Sequence, residues 1–151
     1  MLAPSRSRMG ALTRVTVAWG MTFAVESIDH VVLNCHDVET TADWYVRVLG
    51  MRRESYGDGR VSLTFGGQKI NVRPTGAEGW VTAAADAPGS LDLCFIVDAE
   101  AAEVGDQLRA RGVEITEGPI SRTGARGPMT SHYCRDPDGN LVEVATYRGA
   151  D

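Results

Sequence analysis

Cysteine is scarce in this chain, which has three, and no two of them stand in a C-x-x-C spacing. An odd number of cysteines without such pairs excludes a disulfide framework and a zinc knuckle, and it is typical of a reducing, cytoplasmic environment. Cys94 lies in an apolar stretch, so we expect it to be a small core residue. Cys134 stands two residues after His132, and a thiolate site formed by this pair is the minor alternative.

The chain also lacks an excess of positive charge. It has 15 Lys and Arg residues against 20 Asp and Glu residues, which gives a formal net charge of -5. No basic surface is available to neutralise phosphate groups. Neither a nucleic acid nor a membrane is therefore expected as a partner.

The beginning of the chain is the exception, because its arginines occur there without an acidic residue. The apolar run from Ala11 to Trp19 is interrupted by Arg14 and has no convincing cleavage site, so a secretory signal is not expected. Met21 stands shortly before the first predicted strand. We therefore expect residues 1–21 to be a basic extension, either disordered or upstream of the true start, with a basic targeting peptide as the alternative.

Two parts of the chain resemble each other. Residues 67–72 align without a gap with residues 139–144, which places Asn71 opposite Glu143. Upstream, residues 28–34 align with residues 90–96, which places His30 opposite Asp92. The sequence therefore predicts an internal duplication of one structural unit.

Each copy predicts a strand, a helix and three further strands. Apolar residues recur at helical spacing from Asp37 to Leu49 and again from Asp98 to Arg111, and each segment is followed by a glycine, Gly50 and Gly112. The predicted strands cover residues 28–34, 51–56, 60–65 and 68–73 in the first copy, and residues 91–97, 113–117, 130–134 and 140–147 in the second.

The length and the 43% hydrophobic content allow one core built from two similar halves. We predict a single domain over residues 22–149. In it, module one (27–74) and module two (90–147) are joined by a linker (75–89) that is rich in Gly, Ala and Pro.

Three features together resemble the vicinal oxygen chelate superfamily, to which glyoxalase I, extradiol dioxygenases and the fosfomycin- and bleomycin-resistance proteins belong. They are His30 on the first strand, the Leu-Gly pair at 49–50, and the Asp-Pro-Asp-Gly-Asn-Leu-Val-Glu phrase at 136–143. Residues 88–94 and 117–128 are similar to the subgroup of glyoxalase domain-containing protein 5. The resemblance implies an α+β fold in which two βαβββ modules form a curled mixed sheet around a central cleft.

The resemblance also implies a divalent metal ion, held by side chains from the first and last strands of each module. The implied ligands are His30, Asp92 and Glu143, with Asn71 as the weakest candidate. One imidazole, two carboxylates and an amide oxygen suit Ni, Co, Mn, Zn or Fe. Glyoxalase I normally has Glu or Gln in place of Asn71, and His or Glu in place of Asp92. From the residues alone, Asp92 has the alternative role of capping the preceding turn.

The function that the resemblance implies is that of a metal-dependent, lactoylglutathione lyase-like enzyme. It would act on a small substrate with neighbouring oxygens by metal-stabilised enediolate chemistry, with Glu143 as the catalytic base. The alternatives are a metal-free binding protein of bleomycin-resistance type and a ring-cleaving dioxygenase, although extradiol dioxygenases use two His and one Glu. We expect a homodimer, with the cleft either within one chain or across a swapped dimer.

Four cationic residues are candidates for binding an anionic substrate, such as a carboxylate or the adduct of glutathione or another thiol. Lys69 and Arg73 stand two residues on either side of Asn71, on the same face of the predicted strand. Arg122 and Arg126 are expected in a glycine-containing loop before the penultimate strand. Ordinary solvation at the surface is the alternative for all four.

Overall fold

The computed structural model describes residues 22–150 of the chain, and the predicted extension at 1–21 lies outside the described residues. Module one comprises β1 (His30–Cys35), α1 (Val38–Leu49), β2 (Arg52–Tyr56), β3 (Arg60–Phe65) and β4 (Gln68–Pro74). Module two comprises β5 (Asp92–Ile96), α2 (Ala101–Ala110), β6 (Glu117–Gly124), β7 (Gly127–Arg135) and β8 (Leu141–Thr146). The predicted order of one strand, one helix and three strands in each half is confirmed.

Helix α1 begins and ends where the sequence predicts. The side chain of Asp37 accepts a hydrogen bond of 2.7 Å from the N–H of Thr40, which satisfies one of the unpaired donors of the first turn. Gly50 follows the last turn with φ 68°, a left-handed conformation that glycine adopts without a steric penalty. Neither helix of the described residues is long and apolar enough to cross a membrane.

Each module forms a four-stranded mixed sheet, and the two sheets have the same topology. The strand orders are β1-β4-β3-β2 and β5-β8-β7-β6, with the first strand of each module parallel to its last strand. Their registers agree residue by residue with the alignment of the two halves. The equivalent pairs are His30 with Lys69 and Asp92 with Leu141, then Val32 with Asn71 and Cys94 with Glu143. The duplication read from the sequence is therefore a duplication of structure.

The two modules bury their helix-covered faces in one common core. Val72 of β4 and Val144 of β8 belong to the same buried cluster, together with Tyr45 of α1. The rings of Phe65 and Phe95 meet edge to face across the two modules, with their centroids 5.4 Å apart. The opposite face of each sheet is therefore turned away from this core.

One predicted strand is wrong. Residues 113–116 form no strand, and β6 instead runs from Glu117 to Gly124. Gly118, Pro119 and Gly124 suggest a loop in the sequence, but β6 lies at the edge of its sheet, where proline is tolerated, and its pairing with β7 is irregular between Glu117 and Ile120. Arg122 therefore lies in a strand and not in the predicted loop, whereas Arg126 lies in the turn between β6 and β7.

Candidate functional site

The predicted metal ligands lie on the two sheet faces that are turned away from the core. Asn71 stands between two core residues of β4, and Glu143 between two core residues of β8, so alternation along the strands directs both side chains outward. His30 and Asp92 are the first residues of β1 and β5, and the sheet registers place them on the same faces. We call His30 with Asn71 half-site one and Asp92 with Glu143 half-site two.

Asn71 in half-site one presents an unsatisfied oxygen atom. The residue is 7% exposed, and its Oδ1 is buried without a hydrogen-bond partner among residues 22–150. A buried polar atom that lacks a partner costs roughly 1–3 kcal/mol. Such an atom suggests a missing ligand, and amide oxygens are ligands of divalent cations.

His30 is held by the residue before it. Its Nδ1 lies 2.7 Å from Oδ1 of Asp29, while the side chain remains 46% exposed. Metal-binding histidines commonly donate one ring N–H to a carboxylate, which fixes the ring and leaves the other nitrogen free. In this arrangement Nε2 of His30 is the nitrogen that remains for a metal ion.

Glu143 in half-site two is a buried carboxylate, and one of its oxygens accepts a short hydrogen bond. The residue is 8% exposed, and its Oε1 accepts a hydrogen bond of 2.5 Å from Oγ of Ser131. Tyr133 is its partner on β7, and Cys94 is its partner on β5. Glu143 is therefore held in a fixed position among three polar side chains on the outer face of the sheet.

Asp92 begins β5 as an exposed residue, so its carboxylate is accessible. The preceding turn is closed by a different side chain, because Oγ of Ser90 bonds to the carbonyl oxygen of Ala87 at 2.7 Å. No contact of the described residues assigns a turn-capping role to Asp92, and its role as a ligand stays a prediction.

The four predicted ligands do not converge within one chain. Among residues 22–150, no three His, Cys, Asp or Glu side chains are close enough together to hold a metal ion. A cavity of about 200 Å³ does connect the modules, and it is lined by His30 and Lys69 from module one and by Cys94 from module two. The chain therefore presents two separate half-sites, each with two candidate ligands.

The prediction that Cys94 is a core residue is wrong. It is exposed on the outer face of β5, because its apolar neighbours Leu93 and Phe95 take the core-facing positions of the strand. Desolvation and the carboxylate of Glu143 raise the pKa of the Cys94 thiol to about 12. The thiol is therefore protonated at neutral pH, and it is a poor nucleophile.

Cys134 and His132 lie on the core side of β7, and both are buried. Burial, together with the carboxylate of Asp136, raises the pKa of the Cys134 thiol to about 11. A thiolate does not form at such a pKa near neutrality, so this pair does not support the alternative thiolate site.

Lys69 and Arg122 lie on the outer sheet faces, beside half-site one and half-site two respectively. Lys69 pairs with His30 in the sheet, and its Nζ lies 4.6 Å from the centre of the Tyr56 ring. Arg122 donates a hydrogen bond of 3.2 Å from Nε to the hydroxyl of Tyr133, the residue that pairs with Glu143. Each half-site therefore has one cation beside it.

Arg73 lies on the same face as Asn71 but is engaged by the linker, and Arg126 lies outside the strands. The side chain of Arg73 is buried beneath the linker, where Nη1 contacts Oδ2 of Asp86 at 2.5 Å and Nη2 contacts the carbonyl oxygen of Ala77 at 2.6 Å. Arg126 stacks on the ring of Tyr147, with its guanidinium carbon 4.1 Å from the ring centre. Arg73 thus anchors the linker, and Arg126 lies apart from both half-sites.

Ser131 and Tyr133 were not predicted from the sequence to be residues of the site. The spacing offered one indication, because residues 131 and 133 lie on the same face of the strand that pairs with Glu143. A serine and a tyrosine on an antiparallel strand are common, however, so the spacing has meaning only once the partner strand is known.

A family profile described as "Glyoxalase/Bleomycin resistance protein/Dioxygenase superfamily" matches residues 27–144. The chain is 46% identical to the glyoxalase domain-containing protein RDO1 of Mycosarcoma maydis, over 84% of this chain and 72% of that protein. It is 42% identical to the virulence protein STM3117 of Salmonella typhimurium, over 82% of this chain and 85% of that protein. The crystal structure of STM3117 superimposes with a TM-score of 0.81, over 83% of this chain and 99% of that one.

A more distant likeness, at 26% identity, is to the lactoylglutathione lyase of Neisseria meningitidis, and it covers 81% of this chain and 91% of that enzyme. The narrower subgroup of glyoxalase domain-containing protein 5 stays a prediction. The profile match, the two similar proteins and the duplicated fold agree, and the chain belongs to the glyoxalase/bleomycin resistance protein/dioxygenase superfamily, the vicinal oxygen chelate superfamily.

Proposed function

We propose that this protein is a metal-dependent, lactoylglutathione lyase-like enzyme that acts on a small substrate with two neighbouring oxygen atoms. The observation that supports this most directly is the equivalence of Asn71 and Glu143. Both occupy the same position of their sheets, both are largely buried, and each presents a side-chain oxygen on an outer face that also has His30 or Asp92. An imidazole, two carboxylates and an amide oxygen form a donor set that suits a divalent transition metal.

A complete site requires half-site one and half-site two to face each other. We propose that this occurs between two copies of the chain, with half-site one of one copy opposite half-site two of the other. Two-fold pairing of identical chains would then form two equivalent sites. This arrangement is consistent with the absence of a three-ligand cluster among residues 22–150 of a single chain.

A metal ion bound by these residues would supply a Lewis acid that stabilises negative charge on the substrate oxygens. Glu143 would act as the base and take a proton from the substrate carbon at Oε2, because Ser131 already occupies Oε1. The same carboxylate would return the proton to the neighbouring carbon, so that no oxidant or further reactant is consumed. His30, Asp92 and Asn71 would serve as ligands only.

The substrate would have an anionic group. Lys69 and Arg122 are the cations beside the half-sites, and Arg122 also forms a salt bridge of 3.1 Å with the exposed carboxylate of Glu117. Arg73 is held in a buried pair by Asp86 of the linker, and Arg126 lies in the turn after β6. A thiol adduct with carboxylates, such as the adduct of glutathione and methylglyoxal, has the required charge and the two neighbouring oxygens.

The second candidate function is a metal-free binding protein of bleomycin-resistance type. One observation favours it: no three ligand-type side chains of the described residues are close enough together in one chain to hold a metal ion. The two functions differ in metal content, so metal content is the first property to measure.

The test uses the full chain, purified without chelator and then supplied with Ni²⁺, Co²⁺, Mn²⁺, Zn²⁺ or Fe²⁺. We expect close to one metal ion per chain and turnover of methylglyoxal with glutathione. Glu143→Gln should lose more turnover than its loss of metal explains, Asp92→Asn should mainly lose metal, and Asn71→Ala should have the mildest effect. A wild-type chain that binds none of these metals would instead support the metal-free binding protein.

A further inference from the structure

We propose that Ser131 is a positioning residue for Glu143, which fixes the carboxylate so that one oxygen is reserved for the metal ion or for the substrate proton. This inference rests on the proposed function of the preceding section. Ser131 itself would contact neither the metal ion nor the substrate, and it would act only through the carboxylate of Glu143.

The contact has an unambiguous direction. An ionised carboxylate has no hydrogen to donate, so the hydroxyl of Ser131 must be the donor and Oε1 of Glu143 the acceptor. The distance of 2.5 Å is at the short end for a hydroxyl bonded to a charged oxygen, where such bonds are stronger than neutral ones. A hydroxyl has a single hydrogen, so Ser131 engages Oε1 only, and the Cys94 thiol and the Tyr133 hydroxyl are the other hydrogen-bonding groups beside this carboxylate.

Burial makes the contact rigid. Ser131 is 0% exposed and lies on β7, diagonally across from Glu143 on β8, since Ser131 pairs with Ala145 and Tyr133 pairs with Glu143. Because both strands are interior to their sheet, the backbone positions of donor and acceptor are set by the ladder between them. A displacement of the carboxylate would leave the Ser131 hydroxyl without its partner in a buried place, which costs free energy.

Module one supplies a natural control. Ser62 is similarly buried, at 3% exposure, and it also lies on the outer face of its sheet, paired in register with Asn71. Its neighbour is an amide and not a carboxylate. Ser62→Ala therefore removes a buried hydroxyl from the equivalent region without removing a donor to a charged ligand.

The experiment measures Co²⁺ affinity and the visible absorption of the Co²⁺-loaded chain for wild type, Ser131→Ala, Ser131→Thr and Ser62→Ala. Loss of a residue that orients a metal ligand typically weakens metal binding by about 10- to 100-fold. We expect a loss of that size and an altered Co²⁺ spectrum for Ser131→Ala, and near wild-type values for Ser62→Ala.

Ser131→Thr retains the hydroxyl and should rescue most of the affinity. The loss from Ser131→Ala should also disappear when Glu143→Gln is already present, because the two residues act as one unit.

The outcomes separate the inference from the proposed function. If wild type binds Co²⁺ and Ser131→Ala binds it as tightly as Ser62→Ala, Ser131 has no positioning role, while the proposed function stands. A Ser131→Ala chain that loses thermal stability but keeps its Co²⁺ affinity and spectrum shows a merely structural serine, and this also overturns the inference. If wild type binds none of Co²⁺, Ni²⁺, Mn²⁺, Zn²⁺ and Fe²⁺, both proposals fail together.

Discussion

The hydroxyl of Tyr45 in α1 donates a hydrogen bond of 3.0 Å to the buried Oδ2 of Asp136, which ties the helix of module one to the turn before the last strand of module two. Asp136 also accepts the backbone N–H groups of Asp138 and Asn140. Two residues further on, the side chain of Asp138 accepts the hydroxyl of Thr41, again from α1, at 2.7 Å. The turn that leads into Glu143 therefore also contributes polar contacts between the two modules.

Replacing Tyr45 by Phe should destabilise the protein by roughly 1.5–3 kcal/mol, because it removes a hydrogen bond to a charged group and leaves a buried carboxylate with one donor fewer. Urea unfolding followed by circular dichroism measures the change. Tyr56→Phe is the matched control, since Tyr56 lies at the end of β2 and stacks with Lys69 through its ring, which the substitution keeps. Equal stabilities for the two variants would contradict a structural role for the contact between Tyr45 and Asp136.

The sequence predicted the turn at Asp136 to Gly139 and the strand after it, because both depend on neighbouring residues. It did not predict the bond to Tyr45, whose partner is 91 positions away along the chain. Contacts of this kind depend on how the two modules pack, and local patterns contain no information about that packing. The duplicated architecture was nevertheless predictable, since the same alternation and the same helix ends occur in both halves.

For the site, the sequence was most informative where it repeats. Alignment of the halves placed Asn71 opposite Glu143 and His30 opposite Asp92, and the two sheet registers reproduce both pairings. Single residues judged by their neighbours were less predictable. Cys94 was assigned to the core because it is flanked by Leu93 and Phe95, although those two residues occupy the core side and direct Cys94 to the other face.

The salt bridge between Arg73 and Asp86 should stabilise the linker more than an ordinary surface pair does. The side chain of Arg73 is 4% exposed and that of Asp86 is 37% exposed, so removing the carboxylate leaves a nearly buried cation without its counter-charge. We expect Asp86→Ala to destabilise the chain by roughly 1–3 kcal/mol, a value reduced from that of a fully buried pair because Asp86 is partly solvated. Glu54→Ala, which breaks an exposed pair with Arg52, should change stability by less than about 1 kcal/mol.

Urea unfolding of both variants measures these differences, and limited proteolysis adds a local readout. Opening of the linker in Asp86→Ala should expose the peptide bonds of residues 75–89 to a protease. If Asp86→Ala and Glu54→Ala were equally stable and equally resistant, the buried position of Arg73 would not depend on its carboxylate partner.

His132 should make the protein less stable in mild acid. It is 1% exposed, its Nδ1 is buried without a hydrogen-bond partner among residues 22–150, and burial lowers its pKa, with a further contribution from the positive charge of Arg109. In the unfolded chain the imidazole takes up a proton near its ordinary value of 6.5, whereas in the folded chain it stays neutral to lower pH. The stability is thus fully present above about pH 6.5 and declines as the pH falls below that value.

The test is to measure the free energy of unfolding of wild type and His132→Gln at several pH values between about 7 and 5. A single group of this kind contributes a slope of at most about 1.4 kcal/mol per pH unit. We expect wild type to lose more stability than His132→Gln over this range, and Arg109→Gln to lose an intermediate amount. Parallel curves for all three proteins would show that His132 does not contribute.

Asn71 should show opposite effects on stability and on metal binding. Asn71→Val removes the unpaired Oδ1 from its buried position in a strand, so the metal-free protein should gain up to about 1 kcal/mol. The same change removes a proposed ligand, so Co²⁺ should raise the melting temperature of the variant less than that of wild type. Asn71→Asp is the matched comparison: it keeps an oxygen ligand and should retain the Co²⁺ effect, but it buries a charge and should be less stable without metal.

Thermal unfolding with and without Co²⁺ gives both quantities for the three proteins. A loss of stability for metal-free Asn71→Val would mean that Oδ1 already has a partner in solution. An unchanged Co²⁺ effect in Asn71→Val would remove Asn71 from the ligand set and leave His30, Asp92 and Glu143.

Pairing of two damaged chains tests whether the site lies between copies. His30→Ala damages half-site one and Glu143→Gln damages half-site two, so each variant alone should bind Co²⁺ more weakly at every site. In a mixed dimer, however, the intact half-site one of the Glu143→Gln chain would face the intact half-site two of the His30→Ala chain, and one of the two sites would be complete. After the variants are unfolded and refolded together in equal amounts, about half of the dimers should be mixed, and about a quarter of the wild-type Co²⁺ binding should return.

A mixture that binds no more Co²⁺ than the separate variants would show that His30 and Glu143 do not combine across two copies. The same measurement on a mixture of His30→Ala and Asn71→Val, which both damage half-site one, should show no recovery and serves as the control.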